Sequence, residues 1–263
     1  MSYPVLLGAV VITTSNNRIV INEGGGDLNA DIPAGTYYLR GDGASGDLCK
    51  AIADALDAAG SGPYSVGVTL PETDPTALSA KIVILLGSTF SIFKTGTTFD
   101  EGLLGFSGAQ TGDVSFTSTK SPSALWVSPD PHRELEPFMS KVASVKRSLS
   151  GRVKGLERSR RFRSWRLGLG FVRDVRMLEI RNSSDPTATL ESFMDDYGAG
   201  ASMELHDVDV VGGATYLDNF DSTTLVDTVH FSQETIERFE PRRIAPGTPL
   251  YAIDLVLHSR VTP

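Results

Sequence analysis

Gly41-Asp42-Gly43-Ala44-Ser45-Gly46 sits between a strand-like run and a helix-like run, with the G-x-G-x-x-G spacing that can cradle a pyrophosphate. That chemistry needs main-chain amides and a helix N-terminus turned toward the anion. Here Asp42 and Asp47 bring negative charge to the same spot. The preceding strand alternates instead of running fully apolar, as a buried parallel strand would. A flexible strand-to-helix turn is therefore expected, with no cofactor. The four histidines, His132, His206, His230 and His258, fall far apart and in different elements, and no H-E-x-x-H occurs. Asp207, Asp209, Asp218 and Asp221 are dense enough to raise a calcium site, but they lack the EF-hand spacing, so a solvated strand and turn is expected. No G-x-S-x-G is present, and the single cysteine, Cys49, excludes an intramolecular disulfide and any multi-cysteine zinc site. No enzyme, metal centre or cofactor is expected from these residues.

A basic belt carries the other candidate chemistry. Arg147, Arg152, Lys154, Arg158, Arg160, Arg161, Arg163 and Arg166 lie with Phe162 and Trp165 in one stretch. Residues 1–130 hold 6 basic and 13 acidic side chains, residues 131–176 hold 13 and 4, and residues 177–263 hold 5 and 15. The total of −8 thus hides a positive belt between two acidic segments. Arginines neutralise phosphates and aromatics stack bases, which suits nucleic acid. Against that, the pI is near 5.0, and Trp165 is in register with apolar neighbours rather than with the arginines. Arginine also pairs bidentately with carboxylates, which the flanking segments supply. A subunit interface through Arg152, Arg158, Arg160, Arg161, Arg163 and Arg166 is the preferred reading.

The elements that would position these residues follow from periodicity. Trp165, Leu167, Leu169 and Phe171 alternate with Arg166, Gly168 and Gly170, so this organising stretch is expected as a strand with one buried face. Arg18–Asn22 and Thr36–Leu39 are expected strands, the second after the turn Pro33-Ala34-Gly35. Asp47 should cap a helix running to about Ala59, with Leu48, Ala51, Ile52, Ala55 and Leu56 on one face and Gly60 as its stop. Tyr64–Leu70, Lys81–Leu86 and Thr89–Lys94 are further strands. Leu103, Leu104 and Phe106 make an apolar patch. Lys120–Pro131, with three prolines, marks the expected module boundary. Residues 132–160 allow either a short helix with a mobile basic loop or an irregular hairpin. Pro186 could open a helix bearing Leu190, Phe193, Met194 and Tyr197, ended by Gly198. Ser202–Asp209, Ala214–Asn219, Thr228–Ser232 and Tyr251–Arg260 are the closing strands. The expected class is α+β, mostly β. A small β-rich domain with one helix spans 1–122, a proline-containing linker and basic loop span 123–160, and a β-sandwich or partial barrel with one packed helix spans 161–263. No apolar run is long enough for a transmembrane helix, and the start lacks the basic region of a signal peptide.

The order NNRIVINEGGG, IPAGTYYL, an alanine-rich helix, STFSIFKTG and LLGFSGAQTG resembles a β-rich domain that recurs in the virion proteins of tailed bacteriophages. The strand RRFRSWRLGLGF, the helix TLESFMDDYGAG and the closing PGTPLYAIDLVLHSRV are similar to the tail-tube and distal-tail protein fold of long-tailed phages. That resemblance implies a non-enzymatic structural subunit of the virion tail or baseplate, made in the bacterial cytoplasm. Its partners would be itself, in a ring that could be hexameric, and neighbouring tail or baseplate proteins. DNA would meet it only in transit through a channel, and no membrane is implied. Two alternatives stay open: an adaptor whose residues 1–122 engage host-surface glycan or a receptor-binding protein, and a head–tail connector protein contacting DNA.

Overall fold

Alternating and capped segments of this kind build mostly antiparallel β-structure with a few short helices. The computed structural model describes residues 2–69, 80–128, 137–141, 145–147, 153–156, 161–173, 189–198, 200–209, 224–237, 239, 242–244, 246 and 250–259. The fold is α+β and mostly β, as the patterning predicts.

The first half holds β1 (Ser2–Gly8), β2 (Val10–Ile12), β3 (Arg18–Asn22), β4 (Asp27–Asp31), β5 (Gly35–Tyr37), α1 (Leu48–Ala59), β6 (Ser65–Thr69), β7 (Lys81–Ile92), a 3-10 turn (Glu101–Leu104) and β8 (Gln110–Thr117). Helix α1 begins at Asp47 and stops at Gly60, and Leu48, Ala51, Ile52, Ala55 and Leu56 are its buried stripe, as predicted. Strands β4, β3, β7 and β6 form a sheet in that order, with β8 on β7. The two strands expected at 81–86 and 89–94 are one long strand, because the break between them is a register irregularity against β8 and not a turn.

The second half holds β9 (Leu125–Val127), β10 (Pro137–Lys141), β11 (Val145–Arg147), β12 (Val153–Leu156), β13 (Arg161–Arg173), α2 (Leu190–Tyr197), β14 (Met203–Asp209), β15 (Leu225–Phe231), α3 (Gln233–Glu237), β16 (Arg242–Arg243) and β17 (Leu250–Ser259). The large sheet runs β10-β13-β17-β15-β14-β1-β9, with β16 on β17. Trp165, Leu167 and Leu169 are buried and Arg166 and Gly168 exposed, so the organising strand alternates as expected; the Phe171 side chain lies outside the described residues. Strand β13 pairs with β17 from Ser164↔His258 to Arg173↔Leu250. Helix α2 buries Leu190, Phe193, Met194 and Tyr197, but its cap is Thr189, in a capping box with Ser192. Pro186 and the strand expected at 214–219 lie outside the described residues. Within 132–160 the irregular-hairpin reading holds where the chain is described: β11 pairs with β12, and Phe138 and Met139 sit on a strand rather than a helix.

The expected division at residue 122 needs correction. Strand β1 belongs to the large sheet, with β14 on one side and β9 on the other. Leu7 pairs with Leu125, and the Gly8 amide donates to the Ala124 carbonyl at 2.8 Å. Residues 9–123 are therefore an insertion between two adjacent strands, not an N-terminal domain. Nor is 123–160 simply a linker: Leu125–Ser128 are buried, and β9 and β10 are strands of the large sheet. The buried side chains of both halves form one continuous core.

Candidate functional site

Strand parity assigns side chains to the two faces of the large sheet. Through the pairings Met203↔Val229, His230↔His258 and Trp165↔Leu257, the odd-numbered residues of β13 up to Leu169, β17, β15 from Asp227 and β14 share one face and the even-numbered the other, while on β1 the parity is reversed, Leu7 lying beside Glu204. On the odd face Phe193 of α2 packs edge-on against Phe231, with ring centroids 6.4 Å apart. Trp165 Nε1 donates to Asp227 Oδ2 at 3.1 Å on that face, so Trp165 is core and not a base-stacking platform.

On the even face the insertion meets the sheet. Glu204 and His206 stand two residues apart on β14, 4% and 0% exposed. Arg40, brought by the segment after β5, donates from Nε to Glu204 Oε2 at 2.8 Å and from Nη2 to Oε1, a bidentate fork. His206 Nε2 is 3.2 Å from Glu204 Oε2, and His206 Nδ1 is 3.0 Å from Thr224 Oγ1. Burial pushes the Glu204 carboxyl up, but hydrogen bonds from His206 and Arg40 outweigh it and hold the group below its ordinary carboxylate value. Burial opposes the pairing at Arg40 too, yet the Glu204 hydrogen bond raises the guanidinium. Tyr38 Oη donates to Ser202 Oγ at 3.2 Å, and the Arg40 guanidinium lies 5.3 Å from the Tyr38 ring centroid. A hydroxyl, an imidazole and a carboxylate in a row resemble a nucleophile relay. This carboxylate is already neutralised by arginine and the imidazole is sealed from solvent, so the row does the work of a buried clamp.

Farther along the same face, Ser164 Oγ is 2.8 Å from His258 Nδ1, and His258 faces His230 across β15 and β17 with ring centroids 5.8 Å apart. The histidines that sequence spacing leaves far apart are thus neighbours in the sheet. Burial, then the charge of His230, lowers His258 from its ordinary value. Ser164 is fully buried, which keeps any substrate from its hydroxyl. No group of three or more metal-ligating side chains occurs among the described residues. Asp218 and Asp221 of the acidic run lie outside them, as does His132.

The basic belt is only partly described. Arg152, Arg158 and Arg160 lie outside the described residues, and of Arg161 only the backbone in β13 is described. Arg163 and Arg166 are exposed, three positions apart on one strand, so they project to opposite faces. The belt is therefore no single plane of charge at this end of β13.

The glycine motif is a strand-to-helix turn. Its amides are engaged by the chain itself: Asp47 Oδ1 accepts from Gly41 N at 3.0 Å and Cys49 N at 3.1 Å, and Oδ2 accepts from Gly43 N at 3.1 Å. The carboxylate thus stands where a phosphate would. Beside it opens a cleft between the turn, β5 and α1. No family model matches the chain, and no match is found among curated proteins.

Proposed function

We propose that the protein is a structural subunit of a tailed-phage virion, a ring-forming tail or baseplate component that works by self-association and not by catalysis. One observation carries the reading: exposed Arg163 and Arg166 stand out on both faces of the longest strand in a large sheet, on a chain whose remaining segments are acidic. Arginines at the end of β13 in one copy would pair with carboxylates of the next, and head-to-tail contacts of this kind close into rings when the rotation permits. The buried relay and the sealed Ser164 support a non-enzymatic role, since each has its chemistry satisfied internally.

The test is size-exclusion chromatography with light scattering over a salt series, on the whole chain and on a variant with Arg160, Arg161 and Arg163 changed to serine. Higher-order species that weaken as salt screens the pairs, and that vanish in the variant while its melt stays near wild type, are the expected result. A strict monomer at all concentrations and salts sinks the reading. If the variant assembles normally yet loses DNA affinity, with a log–log salt slope smaller by about 0.9 per lost phosphate contact, the connector reading replaces it.

A further inference from the structure

The cleft at the start of α1 has a volume of about 310 Å³, near the lower end of small-ligand sites. Pro33 and Tyr37 form its apolar wall, and Ser45, Asp47, Lys50 and Asp54 its polar side. We propose that this cleft is a carbohydrate-binding site for a neutral, polyhydroxylated ring.

Three features of the cleft select that class. First, the aromatic wall is held in place. Tyr37 Oη donates to the Pro33 carbonyl at 2.8 Å, and the ring lies so close over Gly35 that a Cβ there would stand 3.2 Å from a ring carbon. A fixed, half-exposed aromatic ring offers the apolar face of a pyranose a flat partner at little entropic cost. Second, the polar side joins donor to acceptor. Lys50 Nζ and Asp54 lie one helical turn apart and pair at 2.9 Å, both exposed. Vicinal hydroxyls, each a donor and an acceptor, match such a pair, as a lone cation or anion does not. Third, the anion position is filled. The loop amides and the helix N-terminus are spent on Asp47, which is 1% exposed and accepts from Gly41, Gly43, Cys49 and Lys50 amides. A phosphate or carboxylate ligand would meet that buried carboxylate and be repelled. The glycines still serve the site: Gly43 and Gly46 take φ +70° and +83°, and no atom lies within 4 Å of where their Cβ would be, so the turn leaves the mouth open.

Ligand-observed saturation-transfer NMR on the whole chain tests this, using methyl glycosides of glucose, galactose, mannose, rhamnose and N-acetylglucosamine, with adenosine and inorganic phosphate alongside. Saturation of at least one glycoside is expected. Tyr37→Ala should weaken it about tenfold, the loss of one aromatic contact, while Tyr37→Phe keeps the ring and most of the binding. Asp54→Asn, on the exposed side of α1, should weaken it as well without touching the fold, and covers the case in which Tyr37→Ala fails to fold. Silence from every glycoside overturns the proposal. So does saturation unchanged in both Asp54→Asn and Tyr37→Ala, or binding of phosphate or adenosine in place of the sugars.

Discussion

Replacing Arg40 with methionine keeps most of the side-chain volume and removes the cation from the Glu204 clamp. Two estimates bear on the cost. Breaking a buried ion pair by deleting one partner typically costs about 3–5 kcal/mol. The stranded carboxylate can, however, take a proton, which caps the loss. Holding a carboxyl of ordinary pKa near 4.3 protonated at pH 7 costs at most ~3.7 kcal/mol, at 1.36 kcal/mol per pH unit. His206 still bonds to the same carboxylate and retains part of the stabilisation. About 3 kcal/mol at pH 7 is therefore expected. The pH dependence has a definite sign. In the wild type Glu204 is depressed, so its contribution is present above the ordinary carboxylate value and is lost as pH falls through the folded one. In Arg40→Met the folded value rises instead, so the deficit against wild type should shrink steadily as pH drops from 7 toward 5. Urea unfolding of both proteins at several pH values measures this, and adding Glu204→Gln should recover much of the loss by removing the buried charge. A deficit below about 1 kcal/mol, or one equal at pH 5 and pH 8, would show that the clamp is solvated and the reasoning wrong.

Two further outcomes follow from the junction between the insertion and the sheet. A Cβ on Gly8 would stand 2.6 Å from Tyr197 Cδ1 and nearer still to two other ring atoms, so Gly8→Ala should displace a buried ring and cost about 1–3 kcal/mol by thermal or urea unfolding; an unchanged midpoint would mean that the ring moves freely. Residues 1–122 expressed alone carry β1 without its β14 and β9 neighbours, exposing Val5, Leu6 and Leu7, all fully buried in the whole chain, so hydrogen exchange should find the first eight residues unprotected and the fragment prone to associate; a cooperative, monomeric 1–122 would restore the division at 122.

Local order was legible because local chemistry sets it. Asp47 announces α1 because its carboxylate has only two and three residues to reach for the first free amides. Trp165, Leu167 and Leu169 announce β13 because one face is buried and the other is not. At Phe138 and Met139 the sequence leaves helix and strand both open, because a few apolar residues fit either element, and only the partner Arg161–Trp165 decides between them. The candidate sites were least legible. Arg40 and Glu204 are separated by 164 positions, and Ser164 and His258 by 94, so neither pair leaves any periodic trace.

The insertion hid for the same reason, and the proline-rich exit then acquires a different meaning. Lys120–Pro131 has the composition of a linker, yet Ser121, Pro122 and Leu125–Ser128 are buried. Strand β9 is three residues long and, among the described residues, is the last strand on its side of the large sheet. Sheet edges invite pairing with other chains, and short strands bounded by proline are a means of preventing it, because proline offers no N–H to a ladder. Pro122 and Pro129 flank β9 in the sequence. Pro122, buried just before β9, therefore belongs to the approach to an edge strand and not to a linker between two domains. The cost of adding β9 is small as well, since folding of the insertion already brings Gly8 and Ala124 within hydrogen-bonding distance.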